Sequence, residues 1–393
     1  MKKTMVLLLL VLSALSLAGC QEGKEGTRFT FEVKDLDGQE LLSEDLYYNS
    51  ELEENLAEQI DQVIDIDYDV YDIGIFVNGI DDHYPNEYGA SYNYYYQLHI
   101  NGESVTYGLN DVEIVEDMVV SFVETSMLSV LDQEVDDYIY SFVENSLGDY
   151  ISSDFIDYHV LSAVYHLNDK GYIDIDLNDY YTYADLELVK ENIETLSISE
   201  LLKLGIYQSV EGSSLTPLVE QLDSLTPSNP YEAISYLQAY HLNGSTDLDV
   251  VLSLTEETIG DPDYAGMALL ALAPYSDHQT LIDYEDDLVA YIKNALTATG
   301  IESWGSSNAS STAQAVIGLV AQGINPQSED YQIEDKGMIE MLMMYRQDAG
   351  FKWLLSNEDA DLMFSTPQAF ASLVAYKLSR DQFGFPPTNL YVF

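Results

Sequence analysis

The stretch SSTAQAVIGLVAQGINP, residues 310–326, contains no charged side chain, although the whole chain has a formal net charge of −55. Its apolar residues recur at helical spacing. Ser311 is placed to cap a helix with Gln314 completing the capping box, and Gly323 and Pro326 are placed to end it. A helix that is apolar on all sides is buried on all sides. The stretch therefore predicts a core helix that other helices screen from water.

Three further segments share this design, with a capping residue first and an Ala followed by a Leu four residues later; they are residues 229–237, 263–272 and 365–373. Amphipathic segments lie between them, such as residues 281–296 and 337–345. Pairs of one buried and one amphipathic helix predict two concentric rings of helices over residues 132–393. An open solenoid of stacked pairs is the alternative.

Residues 29–125 have a different pattern, which predicts a small α+β domain of mostly β structure. FTFEV alternates, with Phe29, Phe31 and Val33 on one side. Residues 51–63 have helical spacing, and the Asn-Gly pairs at 78–79 and 101–102 are typical of hairpin turns.

The first twenty residues resemble a bacterial lipoprotein signal, with Lys2 and Lys3, an apolar run over residues 5–17, and Leu-Ala-Gly-Cys at residues 17–20. The resemblance implies removal of residues 1–19 and a lipid on Cys20, followed by a polar tether to residue 28. The expected location is the extracellular face of a bacterial cell membrane, lipid-anchored at Cys20.

Charge excludes some classes of partner. The 14 Lys and Arg against 69 Asp and Glu argue against nucleic acid, because phosphate binding requires basic residues, and against bare anionic lipid for the same reason. Two explanations of the acidity stay open: a surface adapted to salt or high pH, or an acidic groove for a cationic ligand.

Two regions carry a family resemblance. SSTAQAVIGLVAQGINP, the later YRQDAGFKWLLSNEDADLMFSTPQAFASLVAYKL and the ending PPTNLYVF resemble the repeats of α/α-toroid proteins, a superfamily that includes prenyltransferases, squalene cyclases, complement thioester domains and cobalamin carriers. Residues 71–125, with DIGIFVNGI and NYYYQLHINGESVTYG, resemble the small β domain of the cobalamin carriers. In the carriers that domain follows the toroid, whereas here it precedes it. The resemblance implies a transcobalamin-like β domain over residues 29–125 followed by an all-α toroid of helix-pair repeats over residues 132–393.

The chemistries of toroid enzymes can be checked against the sequence. Cys20 is the only cysteine, which excludes the zinc site of prenyltransferases, and neither the cyclase Asp-x-Asp-Asp motif nor the thioester motif is present. No catalytic residue and no metal ligand is assigned. Residues 174–185 resemble the start of a calcium loop but have Asp179 where Gly is required and Asp185 where Glu is required, so calcium is not expected.

Ligand contacts are expected from aromatic and amide side chains. Tyr95 shares the polar face of its strand with Gln97. The full set of candidates is Tyr95, Gln97, Tyr264, Trp304, Gln314, Trp353 and Gln368. The histidines have no zinc-helix spacing, but one of them could ligate the cobalt of a corrinoid; they are His83, His99, His159, His166, His241 and His278.

The expected function is a non-enzymatic surface lipoprotein that holds a ligand between its β domain and its toroid. Cobalamin or another corrinoid is the ligand implied by the resemblance, and an uptake transporter is the implied protein partner. Two alternatives stay open: a carbohydrate-active toroid enzyme, either a lyase or a glycosidase, and a purely structural envelope or adhesion module.

Overall fold

The structure is a computed structural model that describes residues 26–71, 74–81, 83–85, 93–244, 248–254, 259–275 and 279–393. The chain divides into two compact units, and the boundary between their described residues lies between Met127 and Leu128. The signal peptide, Cys20, most of the tether and His278 lie outside the described residues.

The first unit is built mainly of strands, which are β1 (Thr27–Lys34), β2 (Glu40–Tyr48), β3 (Ile66–Tyr71), β4 (Gly74–Ile80), β5 (Tyr94–Ile100), β6 (Glu103–Ser104) and β7 (Met118–Ser126). Five of them form a sheet in the order β2-β1-β7-β5-β6, and β3 and β4 form a separate hairpin. The β1–β7 pair is parallel, and the other pairs in the sheet are antiparallel. The mixed β region expected from the sequence is therefore present.

Alternation along the strands builds the core of this unit. Phe29, Phe31 and Val33 are buried, as the alternation of FTFEV predicts. In β5, Tyr96 is buried and Tyr95 is exposed, which confirms the predicted faces. The predicted turn at residues 101–102 is also confirmed, since both residues have positive φ between β5 and β6.

Two predictions for this unit were wrong in detail. Asn78-Gly79 lies inside β4 and not at a turn, because Gly79 pairs with β3 and its missing side chain leaves room for the ring of Tyr84. The helix predicted over residues 51–63 is only Leu56–Asp61, α1, because Asn55 caps it with a capping box. Leu52 and Val63 are consequently exposed.

The second unit is helical. Its helices are α2 (Val130–Asn145), α3 (Leu147–Tyr150), α4 (Tyr158–Asp169), α5 (Glu187–Lys190), α6 (Ile198–Glu211), α7 (Thr216–Leu222), α8 (Pro230–His241), α9 (Leu248–Leu254), α10 (Pro262–Leu272), α11 (Gln279–Ala295), α12 (Ala309–Ala321), α13 (Met338–Met343) and α14 (Ser365–Arg380). Short strands lie between the later helices; they are β8 (Leu296–Thr297), β9 (Gly300–Ser303), β10 (Ser306–Ser307), β11 (Arg346–Gln347) and β12 (Gly350–Phe351).

Six of these helices pack in a closed series. In the order α4, α6, α8, α10, α12, α14 each helix contacts the next, and α14 contacts α4. Most of the side chains of α12 and α14 are buried. Other helices lie against this series: α2 against α14, α11 against α10, and α13 against α12. α11 is amphipathic, as expected from the sequence, whereas every residue of α13 is buried or half-buried, so the amphipathic helix predicted over residues 337–345 was wrong.

α10 and α12 approach each other closely at two glycines. A Cβ atom on Gly266 would lie 2.4 Å from the backbone oxygen of Gln314, and one on Gly318 would lie 2.3 Å from the backbone oxygen of Gly266. The two helix backbones therefore touch, and no larger residue fits at either position.

Of the helix starts predicted from capping residues, that of α8 is confirmed and those of α10 and α12 were wrong. Asn229 caps α8 as predicted, but Asp261 and not Asp263 caps α10, and Asn308 and not Ser311 caps α12. The Asn308 side chain accepts a hydrogen bond from the Ser311 backbone at 2.8 Å, so Ser311 lies in the first helical turn. Gly323 follows the end of α12 with φ of +72°, as its placement in the sequence predicts.

A buried ion network joins the last helix to the first helix of this unit. Lys377 is 0% exposed, and its Nζ donates to Asp136 of α2 at 2.9 Å and to Asp381 at 2.8 Å. Arg380 also donates to Asp136 at 2.9 Å. Burial raises the pKa of Asp136, while Arg380 and Lys377 oppose that shift. The network couples two helices that are far apart in the sequence.

The C-terminal segment after α14 crosses the carboxyl ends of other helices. The backbone N–H of Thr388 donates to the Val320 carbonyl of α12 at 3.1 Å, and the Asn389 amide donates to the Leu270 carbonyl of α10 at 3.1 Å. Both carbonyls belong to the last turns of their helices, and the Val320 carbonyl also accepts the Gly323 N–H at 2.9 Å. Tyr391 is then buried beside α4.

Glu285 of α11 leads to a pH-dependent prediction. Burial raises the pKa of Glu285 to about 7, and the charge of Asp286 adds to the shift. Its Oε1 has no hydrogen-bond partner among the described residues. Because this pKa lies above the ordinary value of 4.5, folding favours the protonated carboxyl, and the associated stability is lost as the pH rises through about 7. We expect Glu285→Gln to raise the free energy of unfolding by about 1–3 kcal/mol at pH 8 and to leave it nearly unchanged at pH 4.

Urea denaturation at the two pH values measures this difference. Asp283→Asn is the control, because Asp283 is an exposed carboxylate of the same helix that is not a cause of the Glu285 shift, and its substitution is expected to change stability by less than about 0.5 kcal/mol. An equal gain for Glu285→Gln at both pH values would show that the buried charge is not the cause.

Candidate functional site

The amino ends of α8, α10, α12 and α14 are connected side by side through polar contacts. The Tyr231 hydroxyl of α8 donates to Asp261 Oδ2 at 2.8 Å, and the Ser303 hydroxyl donates to Asp263 Oδ2 at 3.3 Å. The backbone of α12 continues the row, because the Ala309 N–H donates to the Trp353 carbonyl at 3.0 Å. We call the group Tyr231, Asp261, Asp263, Ser303, Trp304 and Trp353 the acid–aromatic rim.

Two similar turns bring the tryptophans to this rim. In the first, the Ile301 N–H donates to Thr312 Oγ1 of α12 at 3.0 Å, and in the second the Phe351 N–H donates to Thr366 Oγ1 of α14 at 2.9 Å. Each of these loops is therefore fixed by a hydrogen bond to a threonine near the start of the next helix. Trp304 lies between β9 and β10, and Trp353 follows β12.

Trp304 has an unfavourable conformation and an unfavourable environment. Trp304 and Gly305 form the two-residue loop of the β9–β10 hairpin with φ of +58° and +82°. Asn-Gly is the preferred pair for such a loop, and a bulky side chain with positive φ costs about 1–2 kcal/mol. Trp304 is also 84% exposed, so its side chain gains little from burial. Stability therefore does not explain tryptophan at this position.

Asp263 is the half-buried carboxyl group of the rim. Burial raises its pKa, the Ser311 hydroxyl opposes that shift, and the charge of Asp261 adds to it. Trp304 also lies near enough to lower the pKa. Oδ1 of Asp263 is nevertheless buried and receives no hydrogen bond from the residues that the structure describes.

Asp261 caps α10 in addition to contacting Tyr231 on the rim. Its Oδ1 accepts the Tyr264 N–H at 2.8 Å, which caps α10, while its Oδ2 accepts the Tyr231 hydroxyl. Burial raises the pKa of Tyr231, and the hydrogen bond to Asp261 raises it further, so this hydroxyl stays protonated. The ring of Tyr231 meets that of Tyr264 edge to face at 5.7 Å.

The structure places the predicted contact residues in different positions. Trp304 and Trp353 are on the rim, whereas Tyr264 is 2% exposed and bonded to the Tyr284 hydroxyl at 2.8 Å, which places it beneath the rim. Gln314 and Gln368 are half-buried at matching positions of α12 and α14.

The other two candidates, Tyr95 and Gln97, belong to the first unit. Gln97 Nε2 donates to the Val105 carbonyl at 2.7 Å and to the Leu98 carbonyl at 3.2 Å, so its amide is already engaged. Tyr95 lies on the exposed face of the sheet, with its hydroxyl 3.5 Å from Gln97 Oε1.

Four rim residues were not predicted: Tyr231, Asp261, Asp263 and Ser303. A signal was present, because α8 and α10 each begin with a capping residue followed by Pro. Matching Asn229 with Asp261 aligns Tyr231 with Asp263, two residues further along. Aligning the two segments on their Ala residues, Ala233 and Ala268, shifts this match by three residues.

Three of the candidate metal ligands, Asp176, His159 and His166, have hydrogen-bond partners in the protein. Asp176 accepts the Asn178 N–H at 3.0 Å in a short 3₁₀ turn, so the calcium-like segment caps itself. The ring of His159 is bonded to the Tyr391 hydroxyl and that of His166 to the Leu390 carbonyl, and burial lowers the pKa of both. Within the described ranges, no group of three or more His, Cys, Asp or Glu side chains could hold a metal ion.

Comparisons with family models, with curated proteins and with solved structures gave no match to this chain. Among the helices that the structure describes, none combines the length and apolar character of a membrane span.

Proposed function

We propose that the protein is a surface lipoprotein, tethered through Cys20, whose helical unit is an α/α toroid that binds a glycan at the acid–aromatic rim. The closed contact series from α4 to α14 supports the toroid, with that series as the inner ring. The outer ring would consist of amphipathic helices such as α2 and α11, which lie against it.

The composition of the rim supports a sugar ligand. Exposed indole and phenol rings offer flat apolar surfaces with a polar edge, which suit the C–H faces of a sugar ring. The carboxylates beside them accept hydrogen bonds from hydroxyl groups. Because the chain has a net charge of −55, the ligand class is neutral or cationic, and polyanionic glycans are excluded by repulsion.

The observation that carries the proposal is Trp304, held with positive φ and 84% exposed beside the buried Oδ1 of Asp263. A large aromatic side chain that is kept exposed in a costly backbone conformation is a feature that ligand binding would explain. Residues in strained backbone conformations cluster at functional sites, where the residue type is retained for function and not for stability.

A glycan array probed with a soluble form that starts after Cys20 tests the proposal. We expect binding to neutral or amino-sugar glycans, followed by calorimetry on the best ligand. Cyanocobalamin is included, because the resemblance to cobalamin carriers implies a corrinoid. Binding of cyanocobalamin without any glycan would replace the glycan by a corrinoid, and no binding of either would leave the structural or adhesion role.

Asp263 favours glycoside cleavage as a second candidate function. A carboxyl whose pKa is raised by burial can act as a general acid, and Asp261 is a second carboxylate on the same rim. If the array ligand is cleaved, we expect Asp263→Asn to lower kcat by about 100-fold or more while KM changes little. Product release followed by reducing-end assay measures this, and an unchanged kcat would assign Asp263 to binding alone.

A further inference from the structure

A separate cavity of about 490 Å³ lies near the start of α14. Its lining includes Asp149, Tyr150, Phe155, Ala349, Leu362 and Met363. The volume is within the range of small-molecule sites, about 300–1,000 Å³. None of these residues belongs to the acid–aromatic rim.

One wall is an apolar loop that hydrogen bonds hold in place. Asp361 Oδ1 accepts the N–H groups of Met363 at 3.1 Å and of Phe364 at 3.2 Å. Its Oδ2 accepts the Ser365 N–H at 3.1 Å, and its own N–H donates to the Phe351 carbonyl at 2.7 Å. The loop is therefore built around one carboxylate.

This fixed loop presents three consecutive large apolar side chains to solvent. Leu362, Met363 and Phe364 are 56%, 65% and 67% exposed. A run of exposed apolar residues on a well-bonded loop is costly in water and is typical of a binding surface. Because the hydrogen bonds already fix the backbone of this loop, binding a ligand would cost little additional conformational entropy.

A tight turn presents a second apolar part of the lining. The Ser152 N–H donates to the Phe155 carbonyl at 2.9 Å, and the Phe155 N–H donates to Ser152 Oγ at 3.3 Å. This tight turn holds Phe155 with 45% of its surface exposed. Tyr150, Ala349 and Ser146 also line the cavity, so its lining is mainly apolar.

Asp149 is the one charged residue in the cavity lining, and it is exposed. The chain as a whole carries a net charge of −55, so an anionic ligand would be repelled before it reached the apolar walls. A cation would be attracted by the overall field and could pair with Asp149 while its apolar body contacts Phe155 and Met363.

We propose that this cavity binds a small organic cation with an apolar body, such as an aromatic or alkyl amine. The proposal does not depend on the glycan function, because the two sites share no residue. The charge on Asp149 sets the preference for a cation, and the two apolar walls supply the contact area.

Three probes with the same apolar body and different charge test this site: phenethylamine, 2-phenylethanol and 3-phenylpropionate. Binding is followed by calorimetry and by the ¹³C-methyl NMR signal of Met363, assigned by its loss in Met363→Leu. We expect the amine to bind most tightly, with a shift of the Met363 methyl signal, and the carboxylate to bind least.

Substitution of Asp149 then tests the charge preference. Asp149→Asn is expected to weaken phenethylamine binding by about three- to fivefold and to leave 2-phenylethanol binding unchanged. Asp154→Asn is the matched control, because Asp154 is an exposed acid next to Phe155 that is not among the residues lining the cavity.

Three outcomes would overturn the proposal: equal affinity for all three probes, an amine preference that survives Asp149→Asn, or no Met363 shift with any probe. Phe155→Ala is a second variant, expected to weaken both the amine and the alcohol. It keeps the apolar part of the proposal testable if Asp149→Asn affects folding.

Discussion

Replacing Lys377 with methionine is expected to lower the free energy of unfolding by about 3–5 kcal/mol. Methionine fills most of the same volume, so the loss comes from charge. Asp136 and Asp381, which Lys377 contacts at 2.9 and 2.8 Å, would be left buried without this partner. Arg380 alone cannot compensate both carboxylates together with Asp132, which it also contacts. The contact between α2 and α14 should weaken first.

Urea denaturation monitored by circular dichroism measures this effect. Lys170→Met is the control, because Lys170 is exposed and pairs with an exposed Asp169, and surface pairs contribute less than about 1 kcal/mol. If Lys377→Met and Lys170→Met unfold at similar urea concentrations, the buried network does not hold these two helices together.

Trp304→Asn is expected to weaken glycan binding by about 30-fold or more while stability is kept or slightly increased. An exposed aromatic anchor at a binding site contributes about 2 kcal/mol or more. Asparagine is chosen because Asn-Gly is the preferred pair for a hairpin loop with two positive φ angles, so the β9–β10 turn is preserved. Loss of affinity in this variant cannot then be attributed to a disturbed loop.

Calorimetry with the array ligand and thermal unfolding measure the two effects together. Phe383→Ala is the matched control, since Phe383 is an aromatic residue, 93% exposed, that follows the carboxyl end of α14. It should keep full affinity. If Trp304→Asn also keeps full affinity, the acid–aromatic rim is not the binding site.

The helical architecture was predictable because it depends on local periodicity. The uncharged stretch at residues 310–326 indicated a buried helix, and α12 is buried over most of its length. Its start was misplaced because several Ser, Thr and Asn residues precede it, and spacing alone does not show which one caps it. Asn308 does so through a side chain that reaches Ser311.

The rim and the ion network depend on contacts that periodicity does not encode. Lys377 meets Asp136 across 241 residues of sequence, and Asp263 is one of 69 acidic residues. Only the folded chain distinguishes Asp263, through its burial and its hydrogen bond from Ser303. Trp304 was among the candidates, but its positive φ and exposure, which give the functional argument, are not visible in the sequence.

Intrinsic tryptophan fluorescence is the most direct test of the proposed glycan site. The chain contains only two tryptophans, Trp304 and Trp353, and both belong to the acid–aromatic rim. Titration of the soluble protein with its array ligand should shift the emission to shorter wavelength, with a midpoint that matches the calorimetric Kd, and Trp304→Asn should remove most of the shift. Saturable binding by calorimetry with no change in tryptophan emission would place the ligand elsewhere and contradict the proposed function.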